Sequence, residues 1–303
     1  MSWKQHTTTI KGWEDFIKCV NNLTWEAEIR NGYYFRGQPC ADWGLESSLA
    51  RLTKGLIRDY NDKAYGIDSL LLDSFRIKTR SFLSIHNLPP DEDIVNWWII
   101  MQHHHAPTRL LDWTASPYIA AYFAAVENLE CDGVVWGFSK TLFEMYANEN
   151  KWKLPASGTL EFLKQFKGTN ALFPITGAIL PERMIIQQGM FTLCSNIGTD
   201  YADVIEKICQ KMHASGYGYF KIIIPKEIKR QVLGHLYYAN ISAASLFPGI
   251  DGIGASIAEE ARFIIECSRE FNKKIKKYQK ENEKSPPHAT PVSGKPRLRR
   301  TRG

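Results

Sequence analysis

Apolar positions along this chain recur mostly at helical spacing, interrupted by short aromatic or β-branched runs. Residues 12–23 place Trp13, Phe16, Ile17 and Val20 at i, i+3, i+4 and i+7, which predicts an amphipathic helix. After the Asn31-Gly32 turn, Tyr33, Tyr34 and Phe35 predict a strand that Gly37 breaks, so Arg36 sits at its C-terminal end. Residues 43–52 read as a turn into a helix capped by Ser47 or Ser48. A longer helix is expected over 66–86, with Leu71, Phe75 and Phe82 facing the core, and Pro89-Pro90 ends it. Asp91 to Met101 forms the next helix, with acids in its first turn. Ser116-Pro117 is a helix start, with Tyr118, Ile119, Tyr122, Phe123 and Val126 on one face and alanines on a close-packing face.

The second half alternates in the same way. A turn at 131–133 leads to a strand over 134–138, and 141–172 reads as helical and polar. Two strand-like runs in 174–193 surround Pro181-Glu182-Arg183, with Gln187, Gln188 and Gly189 set between apolar residues. A helix over 200–214, a strand over 219–225, a short helix and a loop over 245–252 precede a last helix over 253–278. This succession predicts an α+β fold: a mixed, split β-sheet flanked by helices in one large domain, 1–270, with a basic helical extension and disordered tail over 271–303.

Charge alters this picture in one respect. Eleven Lys/Arg and two Glu follow residue 270, so the tail carries +9 of a net +6 and the remainder is −3. The body is mildly acidic, which argues against a surface built as a whole for nucleic acid. The six cysteines are scattered without a C-x-x-C pair, and the N-terminus lacks an apolar signal region, so a reducing cytoplasm and no membrane association are expected.

Candidate chemistry concentrates in residues 102–125, QHHHAPTRLLDWTASPYIAAYFAA. His103 and His105 share a face if extended, but no third ligand stands at motif spacing, so no metal is expected. A Ser-His-Asp hydrolase would use one of these histidines with Asp112, yet no G-x-S-x-G elbow occurs, nor any P-loop or G-x-G-x-x-G. What remains is Arg36 at a strand end, Thr114 and Ser116 at a helix start, and the Gln187-Gln188 pair. An arginine fork and a helix N-terminus suit phosphate. Arg109 and Asp112 are expected to form a structural ion pair.

Y-F-R-G-Q at 34–38, Trp43, S-L-x-R at 48–51 and QHHHAPTRLLDWTASP at 102–117 resemble the FRG domain family, known for its [FY]-R-G and Q-H-x-x-x-P-T-R-L-L-D-W-T-x-S-P motifs. RMIIQQGMF (183–191) and SLFPGIDG (245–252) extend the resemblance, and His104 departs from it where members often carry an aromatic residue. A more distant similarity is to ADP-ribosyltransferases of the Arg–Ser–Glu type. It implies an NAD-binding enzyme, a toxin or defence effector, with Arg36, Thr114, Ser116 and Gln188 as its catalytic set. Gly37, Gln102, His103, Arg109, Asp112 and Trp113 would hold the cofactor. Glutamine in place of the third-motif glutamate lacks the charge that an oxocarbenium-like transition state needs. The alternative is a non-catalytic module binding a nucleotide, or nucleic acid with help from the basic tail.

Overall fold

The computed structural model describes residues 6–26, 32–54, 60–82, 88–155, 157, 159–166, 169–175, 181–212 and 218–284. The chain divides into two compact units, Met1–Ser256 and Ile257–Gly303. In the first, β1 (Thr7–Thr9), α1 (Trp13–Glu26) and β2 (Tyr33–Gln38) lead to the helices α2 (Ser48–Thr53), α3 (Tyr60–Thr79) and α4 (Ile94–His103). Next come β3 (Leu110–Thr114), α5 (Pro117–Ala125), β4 (Gly133–Ser139), α6 (Lys140–Glu149), α7 (Thr159–Lys164) and β5 (Leu172–Ile175). They are followed by α8 (Glu182–Ile186), β6 (Gly189–Cys194), α9 (Tyr201–Lys211), β7 (Tyr219–Ile224), α10 (Lys229–Tyr238) and α11 (Ala243–Leu246); α12 (Ile250–Lys284) begins here and supplies the described part of the second unit.

The strands form one mixed sheet in the order β1-β7-β4-β2-β3-β6-β5, with β1 and β7 parallel and the other neighbours antiparallel. The α+β class and the helix-flanked mixed sheet are as expected. The sheet is continuous rather than split, but it narrows at its centre: β2 and β3 are joined only through Phe35 and Thr114. Beyond that pair the strands part, and a side chain spans the gap.

Alternation along β2 and β4 supplies a core on each face. Tyr33, Phe35, Val135 and Ile222 pack with Phe16 and the α5 alanines, while Tyr34, Trp136 and Phe138 pack with Phe143, Ile205 and Ile208 on the other side. The predicted close-packing face of α5 finds its seat on two glycines. A Cβ on Gly37 would overlap the Ala120 carbonyl, and one on Gly133 the Ala124 carbonyl, so only glycine lets the helix lie this near β2 and β4.

Four expectations need correction. Gly37 does not break β2: the strand pairs with β4 through Gly37 and Gln38, so Arg36 lies within it and not at its end, because a glycine in the middle of a sheet keeps its ladder hydrogen bonds. The helix expected over 66–86 ends at Thr79, and Phe82 is 87% exposed rather than in the core. The first part of the run expected as a strand beyond Pro181 is the short helix α8; its Met184-Ile185-Ile186 run fits either periodicity at that length. The loop expected over 245–252 contains the end of α11 and the start of α12. The disorder expected over 285–303 lies outside the described residues.

Candidate functional site

The gap between β2 and β3 opens into a cavity of about 400 Å³, lined in part by Arg36, Gly37, Gln102, His103, Asp112, Trp113, Thr114 and Gln187. Residues up to 151 positions apart, which were singled out for their chemistry, therefore meet at one place. The side chain spanning the gap is Arg36. Its Nη1 donates to the Asp112 carbonyl at 2.7 Å and lies 3.6 Å from the Asp112 carboxylate, while its buried Nε has no partner among the described residues. Burial lowers the Arg36 pKa; Asp112 opposes that shift and Arg51 adds to it.

Asp112 is held from its other side. Gln102 Nε2 donates to its Oδ2 at 2.7 Å, Thr108 Oγ1 donates to Gln102 Oε1 at 2.6 Å, and the Leu110 amide donates back to Thr108 Oγ1. Both ends of the Gln102 amide are thus committed, and this fixes which end faces Asp112. His103 closes α4, and its Nδ1 is buried with no partner among the described residues. Burial first, then the positive charges of His104, Arg183 and His105, lower its pKa.

The expected hydroxyl residues are engaged structurally. Thr114 Oγ1 donates to the Gln187 carbonyl at 2.7 Å and accepts the Ser116 amide, tying β3 to the turn before β6. Ser116 caps α5 by accepting the Ile119 amide, and it is not among the cavity's lining residues. The two glutamines stand on a turn and not in a strand: Gln187 ends α8, and Gln188 has φ 49° before β6. Gln187 Nε2 donates to the Leu246 carbonyl, and the Gln188 side chain is exposed outside the cavity lining. Trp113 lines the cavity while its indole donates to Thr192 Oγ1 at 2.8 Å.

Arg109 pairs with Asp68 of α3, correcting the expected pair with Asp112. Both are buried, with Nε and Nη2 of Arg109 at 2.8 and 2.6 Å from Asp68 Oδ2. Arg109 does not line the cavity. It anchors the start of β3, which presents Asp112, Trp113 and Thr114.

Two cations that sequence reasoning did not assign to the site line the cavity as well. Arg51 comes from α2, and Arg183, whose guanidinium lies 4.4 Å from the centre of the Phe247 ring, comes from α8. Their signals were S-L-x-R and R-M-I-I-Q-Q-G, segments prominent in the motif comparison but without a chemical role there. Arg36, Arg51 and Arg183 thus face a space in which, among the described residues, Asp112 is the only acidic one. A second cavity of about 770 Å³ has the opposite character, with Glu92, Asp93 and Glu144 against Lys153, and holds none of the expected site residues. Among the described residues no cluster of three or more metal-ligating side chains occurs, and no helix is long and apolar enough to cross a membrane.

The family model of the FRG domain matches residues 31–132. That segment takes in β2, β3 and α5, ends just before β4, and contains Arg36, Arg51, Gln102 and Asp112. No curated protein and no solved structure gives a match.

Proposed function

We propose that the cavity binds the phosphate-bearing part of a nucleotide, with NAD the ligand that the Arg36–Thr114–Ser116 series implies. The observation that carries this reading is three arginines around a space with one acid, together with a buried Arg36 Nε that has no partner among the described residues. A guanidinium matches phosphate geometry with paired N–H groups, and a cavity of about 400 Å³ falls within the usual range for small-ligand sites. The six free cysteines favour a reducing cytoplasm as its compartment.

For ADP-ribosyl transfer from NAD, the carboxylate best placed to oppose charge on the ribose is Asp112, in the role that the motif comparison gave to Gln188. Titration calorimetry with NAD, ADP-ribose and ATP tests the binding. Arg36→Ala removes at least one hydrogen bond to a charged group, about 1.5–3 kcal/mol, and weakens NAD by roughly 10- to 150-fold. Arg36→Lys does not restore it, because a point charge lacks the fork. No measurable NAD binding by the unaltered chain sinks the reading.

A binding module without turnover is the second reading, favoured by the structural engagement of Thr114, Ser116 and Gln187. Labelled NAD that binds and stays intact identifies it. Transfer or hydrolysis abolished by Asp112→Asn, with binding retained, identifies the enzyme. Nucleic acid held through the basic C-terminal region would instead bind with steep salt dependence, lost on deleting 271–303.

A further inference from the structure

Helix α12 carries a pattern that the cavity does not use. From residue 254 to 278 its sequence keeps a heptad register, with Ile257, Ile264, Phe271 and Tyr278 at one position and Gly254, Ala261, Ser268 and Ile275 three residues before each. The larger side chains are exposed: Ile257 57%, Ile264 62%, Phe271 64%, Tyr278 66% and Ile275 38%. They form an apolar stripe about 32 Å long at 1.5 Å per residue. A large apolar residue repeated every seven positions, with small residues three before three of the four, is the pattern of a helix built to pair closely with another.

We propose that α12 pairs with α12 of a second copy of this chain as an antiparallel coiled coil. The two-fold axis would pass beside Cys267, and three of the large seam residues would each meet a small one of the other copy. Tyr278 falls opposite Gly254, Phe271 opposite Ala261 and Ile264 opposite Ser268, while Ile257 meets Ile275. Large against small in three layers, and isoleucine against isoleucine in the fourth, fills the seam without pairing two aromatic rings. A parallel pair in register would stack Phe271 on Phe271 and leave the Gly254, Ala261 and Ser268 layers underfilled.

Charge selects the same direction. Glu260 and Lys274 flank the seam at the same heptad position, and antiparallel pairing sets each beside the other residue of the second copy, twice by symmetry. A parallel pair would instead run Lys273, Lys274, Lys276, Lys277 and Lys280 of both copies side by side. The antiparallel arrangement lays that run along the half that carries Asp251, Glu259 and Glu260.

Light scattering on the full chain is expected to give twice the mass of one copy. Phe271→Glu should return it to a single copy with unchanged circular dichroism, since its side chain is exposed. Glu260→Lys and Lys274→Glu each turn two attractive contacts into repulsive ones, weakening the dimer about tenfold, and the double exchange restores it. Mild oxidation should join the two Cys267 thiols beside the axis, a product lost in Cys267→Ser. A single-copy mass at every concentration overturns the proposal, as does a dimer indifferent to Phe271→Glu or not rescued by the exchange. A monomer that instead collects on phosphatidylserine vesicles also overturns it.

Discussion

Replacing Asp68 with asparagine isolates the charge beneath the candidate site. Asp68 is 1% exposed and Arg109 0%, with two Arg109 nitrogens on one carboxylate oxygen, a third donating to the Ser195 carbonyl at 3.2 Å, and the guanidinium carbon 5.2 Å from the centre of the Trp98 ring. Asparagine keeps the shape and an acceptor but leaves a buried cation without its counter-charge. Removing one partner of a buried pair costs about 3–5 kcal/mol, and the retained amide acceptor places this substitution near about 3 kcal/mol. Set against a total stability of about 5–15 kcal/mol, that is a large fraction. Urea unfolding followed by tryptophan fluorescence measures it, since Trp97 and Trp98 are buried beside this region. The double variant Asp68→Leu with Arg109→Met removes both charges and recovers most of the loss. The reasoning fails if Asp68→Asn lies within about 0.5 kcal/mol of the unaltered protein, the range of ordinary surface substitutions. It fails equally if the double variant is no more stable than Asp68→Asn, since packing rather than charge would then be responsible.

His103 links stability and binding through pH. Its folded pKa lies below the ordinary value of about 6.5, so as pH falls through that value the unfolded chain takes up a proton that the folded chain resists, and stability declines. Protonated His103 adds a cation to the cavity, so nucleotide affinity rises over the same fall in pH. Unfolding midpoints and calorimetry between about pH 5 and 7 should show both trends, and His103→Gln should flatten both. Opposite signs in the unaltered protein would refute this assignment. Gly37→Ala pushes a Cβ into the Ala120 carbonyl and to 2.7 Å from the Ala124 amide, lifting α5 from β2 at a cost of about 1–3 kcal/mol. An unchanged melting temperature would show that the helix does not sit as close as described.

Which parts of this site were legible in the sequence follows from how far apart the interacting groups stand. The α5 start could be read because Ser116 and Pro117 are adjacent and act on the same turn. Arg36 could be singled out because it is the charged residue that follows an aromatic strand pattern, although the strand itself continues through Gly37 to Gln38. Its partner could not be read: the Asp112 carbonyl lies 76 residues away and is reached only because β2 and β3 become neighbours. Arg109 shows the hazard of reading pairs by proximity. Asp112 is three residues on, but in an extended strand that spacing sends the two side chains to opposite faces, and Arg109 turned to Asp68, 41 residues earlier, where the core encloses both. Arg183 entered the cavity for a related reason. Local pattern made its segment a strand, whereas α8 and the left-handed turn at Gln188 bring Gly189 opposite Thr114 and set Arg183 beside the gap. The sheet order β2-β3-β6 therefore brings Arg36 and Arg183 to one gap, where α2 adds Arg51, an arrangement that spacing within any one motif does not encode. Asp112 draws its consequence from this arrangement: opposing charge at both Arg36 and Arg183, it is, among the described residues, the acid that lines a cavity with three arginines. A ligand phosphate entering there would compete with Asp112 for the guanidinium donors, and the pull of Gln102 on its carboxylate fixes where Asp112 remains when they turn to the ligand.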